Sequence, residues 1–221
     1  MLPQYIHIIK PTLKHIYLSF DTRGNLVIKS PKISQKRIEQ LLLKKAQWIS
    51  ISRQKFLEKK GQRVDFSDSC TLYFLGQAYP LYLIPYEKKY TKLHFDTKKF
   101  SLYYSHYDET IFQQHIDKFY KKEAQAHLPA LIQTWSKTMA LLPRKIRFRK
   151  ASRQWGSCSI HNDLSFNTMM MKLPLDMIQY IIVHELAHIS HKHHQKSFWA
   201  LVQHYLPEYK VQVNALKQFT T

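Results

Sequence analysis

Two histidines four residues apart, set in an otherwise apolar run, constrain this chain more than any other feature. The run is Ile181-Ile182-Val183-His184-Glu185-Leu186-Ala187-His188-Ile189. A helix apolar on nearly every side is a buried helix, and burying two imidazoles and a carboxylate without partners is costly. At a spacing of four, His184 and His188 share one helical face, so both rings reach one tetrahedral Zn2+ ion at about 2.0–2.1 Å. Glu185 follows the first of them. From there its carboxylate can take the proton of a water that zinc acidifies towards a pKa of about 7, which makes Glu185 the expected catalytic base.

A catalytic zinc site has three protein ligands and one open position. His191, His193 and His194 are the nearby candidates for the third, with His204 more remote. His191 projects from roughly the same face as the first two but a further turn along. An unbroken helix would carry His194 about 240° away from His188, so His193 or His194 returns to the metal only if the helix breaks.

The rest of the chain predicts an α+β protein. Tyr5–Ile9, His15–Phe20 and Leu26–Ile28 alternate like strands, and the polar turn around Gly24 favours a meander. After Pro31, the spacing of Ile38, Leu41, Leu42, Ala46, Ile49 and Ile51 predicts a helix whose other face is basic. Strand patterns return from Cys70 to Ser105, and a long helix is expected from Glu109 to Leu142, ended by Pro143. A turn at His161-Asn162-Asp163 should lead into a second strand from Leu164 to Met171, with Met169-Met170-Met171 as core filler rather than a metal or cofactor box. The change in composition suggests a β-rich N-terminal region with a basic helix, residues 1–105, and a helical metal-binding region, residues 106–221.

Charge bears on partners. The 34 Lys+Arg residues against 15 Asp+Glu give a formal net charge of +19, a field that attracts phosphate-bearing molecules or acidic proteins. Residues 32–63 hold ten of the basic residues (Lys32, Lys36, Arg37, Lys44, Lys45, Arg53, Lys55, Lys59, Lys60, Arg63) and two acidic ones, Glu39 and Glu58. Such a face could dock polyanions or nucleic acid, although charge-rich amphipathic helices are more often merely solvated. No window has the roughly 18 apolar residues of a bilayer span, and no membrane partner is expected. Cys70 and Cys158 suggest neither a disulfide framework nor a thiolate zinc site, so a cytoplasmic setting is expected.

The stretch from Arg144 to Lys210 holds Trp155-Gly156-Ser157-Cys158-Ser159, Pro174, Tyr180, His184-Glu185-Leu186-Ala187-His188, His194, Phe198-Trp199 and Pro207. In the order and spacing of these motifs the chain resembles the YgjP-like metallopeptidase family. The resemblance implies a zincin-like region with a β-hairpin beside the metal-binding helix. It also aligns His194 with the family's third metal ligand, although His193 and Gln195 depart from the family's Asn-His-Ser exit. Gly156 would permit a close backbone approach.

The leading expectation is a zinc-dependent hydrolase, acting on a peptide or protein through a water activated by Glu185. The resemblance also implies a second candidate, a pyrophosphatase of nucleotides such as uridine triphosphate, which the positive charge suits and the lack of a Gly-rich phosphate loop does not. A third is a non-catalytic nucleic-acid-binding module with zinc as a staple. Glu185 argues against it, since a structural site has no need of that carboxylate.

Overall fold

The alternating N-terminal residues do form strands, and the order of pairing is not a meander. In the computed structural model, which describes residues 3–21, 24–57, 64, 66 and 70–219, β1 (Tyr5–Ile9), β2 (Tyr17–Phe20) and β3 (Leu26–Ser30) pair in the order β1-β3-β2. β2 and β3 are the expected antiparallel hairpin, with Gly24 at φ 78°. β1, however, runs parallel to β3 on its far side. The basic segment is two helices rather than one. α1 (Gln35–Lys44), capped by the Ser34 hydroxyl, and α2 (Ala46–Leu57) meet at Lys45. Ile38, Leu42 and Ile49 from these helices join Leu26 and Ile28 in one small core. Of the basic run, Lys59, Lys60 and Arg63, with acidic Glu58, lie outside the described residues, as do Thr22 and Arg23 of the hairpin turn.

The chain divides into two units, Met1–Arg63 and Val64–Thr221. The change in composition at residue 105 thus falls inside the second unit, because the strands before it share a core with the helix after it. Those strands are β4 (Cys70–Phe74), β5 (Gln77–Pro85), β6 (Lys92–Phe95) and β7 (Phe100–Tyr104), in the order β4-β5-β7-β6 with β5 and β7 parallel. α3 (Glu109–Met139) buries Phe112, Ile116, Tyr120, Ala124, Leu128 and Ile132, a stripe at four-residue spacing. It starts at the Asp108 carboxylate, which accepts from two backbone amides, and stops at Ala140 in the left-handed conformation, ahead of Pro143.

A second sheet follows, β8 (Lys145–Arg149), β9 (Gly156–Cys158) and β10 (Asp163–Asn167), ordered β8-β10-β9. β9 and β10 are the expected hairpin. The second strand is shorter than its apolar run. At Asn167 the side chain accepts from the Met169 amide and donates to the carbonyls of Ala151 and Gln154, so residues Thr168–Lys172 turn into a 3-10 helix with all three methionines buried. α4 (Leu175–Ser190), α5 (Lys196–Tyr205) and α6 (Tyr209–Leu216) complete the unit. Among the described residues no helix is long and apolar enough to cross a membrane.

Candidate metal centre

α4 is buried along most of its length, with Ile178, Ile182, Val183, Leu186 and Ala187 fully inaccessible. Its two histidines point to the one side left partly open. The helix ends at Ser190, where His191 takes extended backbone angles, and the chain turns within Lys192–Gln195 before α5 starts. That turn returns His194 to the helix. Its Nε2 lies 3.1 Å from Nε2 of His184, and Nε2 of His188 lies 3.2 Å from the same atom. Among the described residues His184, His188 and His194 form a cluster able to hold a metal ion, with one donor atom from each and all three within 4.8 Å of one another.

The donor set fits zinc. Nitrogens bound tetrahedrally at about 2.0–2.1 Å stand about 3.3–3.4 Å apart, close to the two measured separations. The chemistry of the rings agrees. Burial, with the neighbouring rings of His188 and His194, brings the pKa of His184 down to about 3, and burial lowers that of His188. Both rings are therefore neutral at ordinary pH and keep a lone pair for a cation.

Each ring is also oriented from behind. His188 Nδ1 donates to the His191 carbonyl at 2.9 Å, which leaves the Nε2 lone pair available to a metal. Nδ1 of His184 faces the Tyr180 hydroxyl at 3.3 Å, a group that can accept from the ring when Nε2 is turned to a metal. The buried Phe198 ring packs against all three imidazoles, and His194 stacks on Trp199, whose indole N–H donates to the His194 carbonyl. His191 therefore contributes its carbonyl rather than its ring. Nδ1 of His193 accepts from the Gln195 amide, and neither His193 nor His204 joins the cluster.

Glu185 lies on the neighbouring face of α4, 6% exposed, against β9. The fit is close: a Cβ on Gly156 would come within 2.6–2.8 Å of Cγ, Cδ and Oε1 of Glu185. Only glycine leaves room for that carboxylate. Burial alone pushes the Glu185 pKa up to about 8, with no hydrogen bond or charge offsetting it. A carboxylate in this state is a recognised mark of a functional site.

Two contributors were not evident in the sequence as functional. The Tyr180 hydroxyl could have been suspected, since position 180 lies four residues before His184 on the same helical face. Lys192 gave no local signal. Its ammonium donates to the Ser159 carbonyl at 2.8 Å and to Asn162 Oδ1 at 2.6 Å and lies 3.2 Å from Cys158 Sγ, tying the exit of α4 to the β9–β10 turn. Burial raises the Cys158 thiol pKa despite Lys192, which disfavours the thiolate that a nucleophile needs.

A family model described as "YgjP-like, metallopeptidase domain" matches residues 14–219. Comparison with curated proteins finds no match. Among solved structures the chain is similar to the metallopeptidase zymogen abylysin of Pyrococcus abyssi, at 20% identity and a TM-score of 0.36 over 42% of this chain and 98% of that one. It is also similar to the zymogen jannalysin of Methanocaldococcus jannaschii, at 18% identity and a TM-score of 0.35 over 39% of this chain and 93% of that one.

Proposed function

This chain belongs to the YgjP-like metallopeptidase family, and on that premise we propose that it is a zinc peptidase in which His184, His188 and His194 hold the ion and Glu185 is the general base. The family and the histidine cluster make the protein a metal-dependent hydrolase of the metallopeptidase type. One observation carries the assignment of zinc and of these residue roles, the convergence of three imidazole nitrogens beside a helix that also buries an uncompensated carboxylate.

Zinc, when bound, supplies a Lewis acid that polarises the scissile carbonyl and acidifies water. Glu185 takes the proton of the attacking water and passes it to the leaving amine. Burial raises its proton affinity and a nearby divalent cation lowers it, so the two effects together leave a group able both to accept and to release a proton near neutral pH. β9 pairs only with β10 among the described strands. Its other edge suits an extended peptide added as a further strand. The reading includes a cytoplasmic setting. It also includes a polyanion contact on the exposed basic residues of α1 and α2.

The test is to load purified protein with zinc and assay it on casein, short peptides and nucleoside triphosphates, with and without a chelator. Peptide cleavage that a chelator abolishes and added zinc restores is expected. Hydrolysis of uridine triphosphate with every peptide left intact would overturn the peptide reading in favour of phosphoanhydride chemistry, which the net charge of +19 also suits.

A further inference from the structure

The four-stranded sheet has one face covered and one exposed. Phe95 and Phe100, opposite each other in the register of β6 and β7, pack their rings on Phe119 of α3. Side chains alternate along a strand, so Lys92, His94 and Tyr103 point away from α3, as does Tyr82 of β5. Tyr82 is 52% exposed, Lys92 and His94 are exposed, and Tyr103 is half-buried. β5 and β7 are the central strands of this sheet. Tyr82 pairs with Ser101, two residues before Tyr103, so the two tyrosines are diagonal neighbours. The Tyr103 ring also meets Tyr86 at 5.7 Å, and Tyr86 meets Tyr90 at 5.5 Å with their hydroxyls 2.8 Å apart. Four tyrosines thus run from the middle of the sheet past the end of β5.

Positive charge follows the same path. Between Tyr82 and Tyr104 stand five lysines, Lys88, Lys89, Lys92, Lys98 and Lys99, against Glu87 and Asp96. Asp96 accepts from the backbone amides of Lys98 and Lys99, and the Lys99 ammonium, 5.6 Å from the centre of the Tyr82 ring, acts on that carboxylate too. Lys88 and Lys92 are freer. Lys88 Nζ lies 6.0 Å from the centre of the Tyr86 ring, and Lys92 is the register partner of Tyr103. Among the described residues neither makes an ion pair.

We propose that this exposed face is a docking surface for single-stranded RNA, one that shares no residue with the metal centre or with α1 and α2. Exposed rings on the central strands of a sheet form a platform on which unpaired bases stack. Tyr82 and Tyr103 each take a base, and Lys88 and Lys92 meet the phosphates beside them. A duplex does not suit the face, because its bases are already stacked on one another and out of reach. An acidic peptide satisfies the lysines but offers the rings no flat partner. RNA is the single strand that belongs to the cytoplasmic setting proposed above. In addition, the Tyr86–Tyr90 pair keeps one O–H free to donate to a ribose 2′-hydroxyl.

The test is fluorescence anisotropy of the full-length chain with a short fluorescein-labelled RNA of mixed A and U. Saturable binding at micromolar protein is expected, weakening as salt rises. The same RNA held in a duplex should bind at least about tenfold more weakly, and the deoxy strand about threefold more weakly. Tyr82→Ala and Tyr103→Ala should each weaken the single strand at least about tenfold, while Tyr82→Phe should not, since a stacked base needs the ring rather than the hydroxyl. Replacing Lys36, Arg37, Lys44 and Lys45 by Gln should leave the preference for single strand over duplex in place. Melting temperatures report folding, and the exposed Tyr82 decides the matter if Tyr103→Ala does not fold. No saturation, binding unchanged by both alanine substitutions, or equal affinity for the duplex would overturn the proposal. So would a deoxy strand bound as tightly as the RNA, since nothing would then single out RNA as the occupant.

Discussion

α4 and the pair α1–α2 both carry ionisable residues, yet their surroundings are opposite. On α1 and α2 the side chains of Lys36, Arg37, Lys44, Lys45, Arg53 and Lys55 are all exposed. Solvated charges of this kind cost nothing to keep and say little about function. On α4, Glu185 is buried with nothing to offset its desolvation, and burial depresses the pKa of His184 to about 3. Those groups cost stability in the bare protein, and a bound cation is what reverses the sign. The same residue types therefore carry information only where burial makes them expensive.

That contrast can be broken, and the largest effect should come from Glu185. Glu185→Gln keeps the shape of the side chain and removes the base, so turnover should fall by about 10²–10⁴ while zinc content is unchanged. Full turnover with zinc bound would end the mechanistic reading, and loss of zinc would recast Glu185 as structural.

Gly156→Ala comes next. The added methyl group meets the flexible end of Glu185 rather than backbone. The carboxylate should therefore swing aside, costing about 10² in kcat for no more than about 1–3 kcal/mol of stability. Equal loss of folding and activity would mean that β9 supports α4 without positioning its carboxylate.

Tyr180→Phe should act on the metal rather than on the chemistry. Removing the hydroxyl that faces His184 Nδ1 should weaken zinc binding by about 10–100-fold, read by competition with a chromophoric chelator. An unchanged affinity would show that the Phe198 and Trp199 rings alone hold the histidines.

The smallest effect belongs to the other side of the comparison. Replacing Lys36, Arg37, Lys44 and Lys45 together by Gln should leave zinc content untouched and shift stability by no more than about 0.5 kcal/mol per site. It should also flatten the salt dependence of any polyanion binding. If the salt slope stays as it was, the basic face is only a solvated surface.

What could be read from the chain follows the same division between local and distant causes. The α4 motif declares itself through spacing and apolar context, and a break in the helix was required as soon as His194 was matched to a ligand position. The buried stripe of α3 is equally local. The parallel pairing of β1 with β3 is not, because β2 intervenes in sequence and no residue in β1 specifies its neighbour. Nor is the break at Lys45, which falls inside one continuous periodic pattern. Met169–Met171 read as strand because they are apolar, yet the Asn167 side chain, bonded to carbonyls 13 and 16 residues earlier, ends the strand before them. β8 escaped notice because Lys145, Arg147 and Arg149 hide its two apolar residues. Lys192 did so because its partners lie 30–34 residues away.

The central claim is that His194 completes the metal centre with His184 and His188, and metal analysis of three dialysed proteins tests it most directly. Wild type and His193→Ala should each retain close to one zinc per chain, because the His193 ring lies outside the cluster and accepts from the Gln195 amide. His194→Ala should lose its zinc under the same dialysis, since it removes one of three nitrogens that converge within 4.8 Å. A His194→Ala protein that stays loaded while His193→Ala empties would contradict the account.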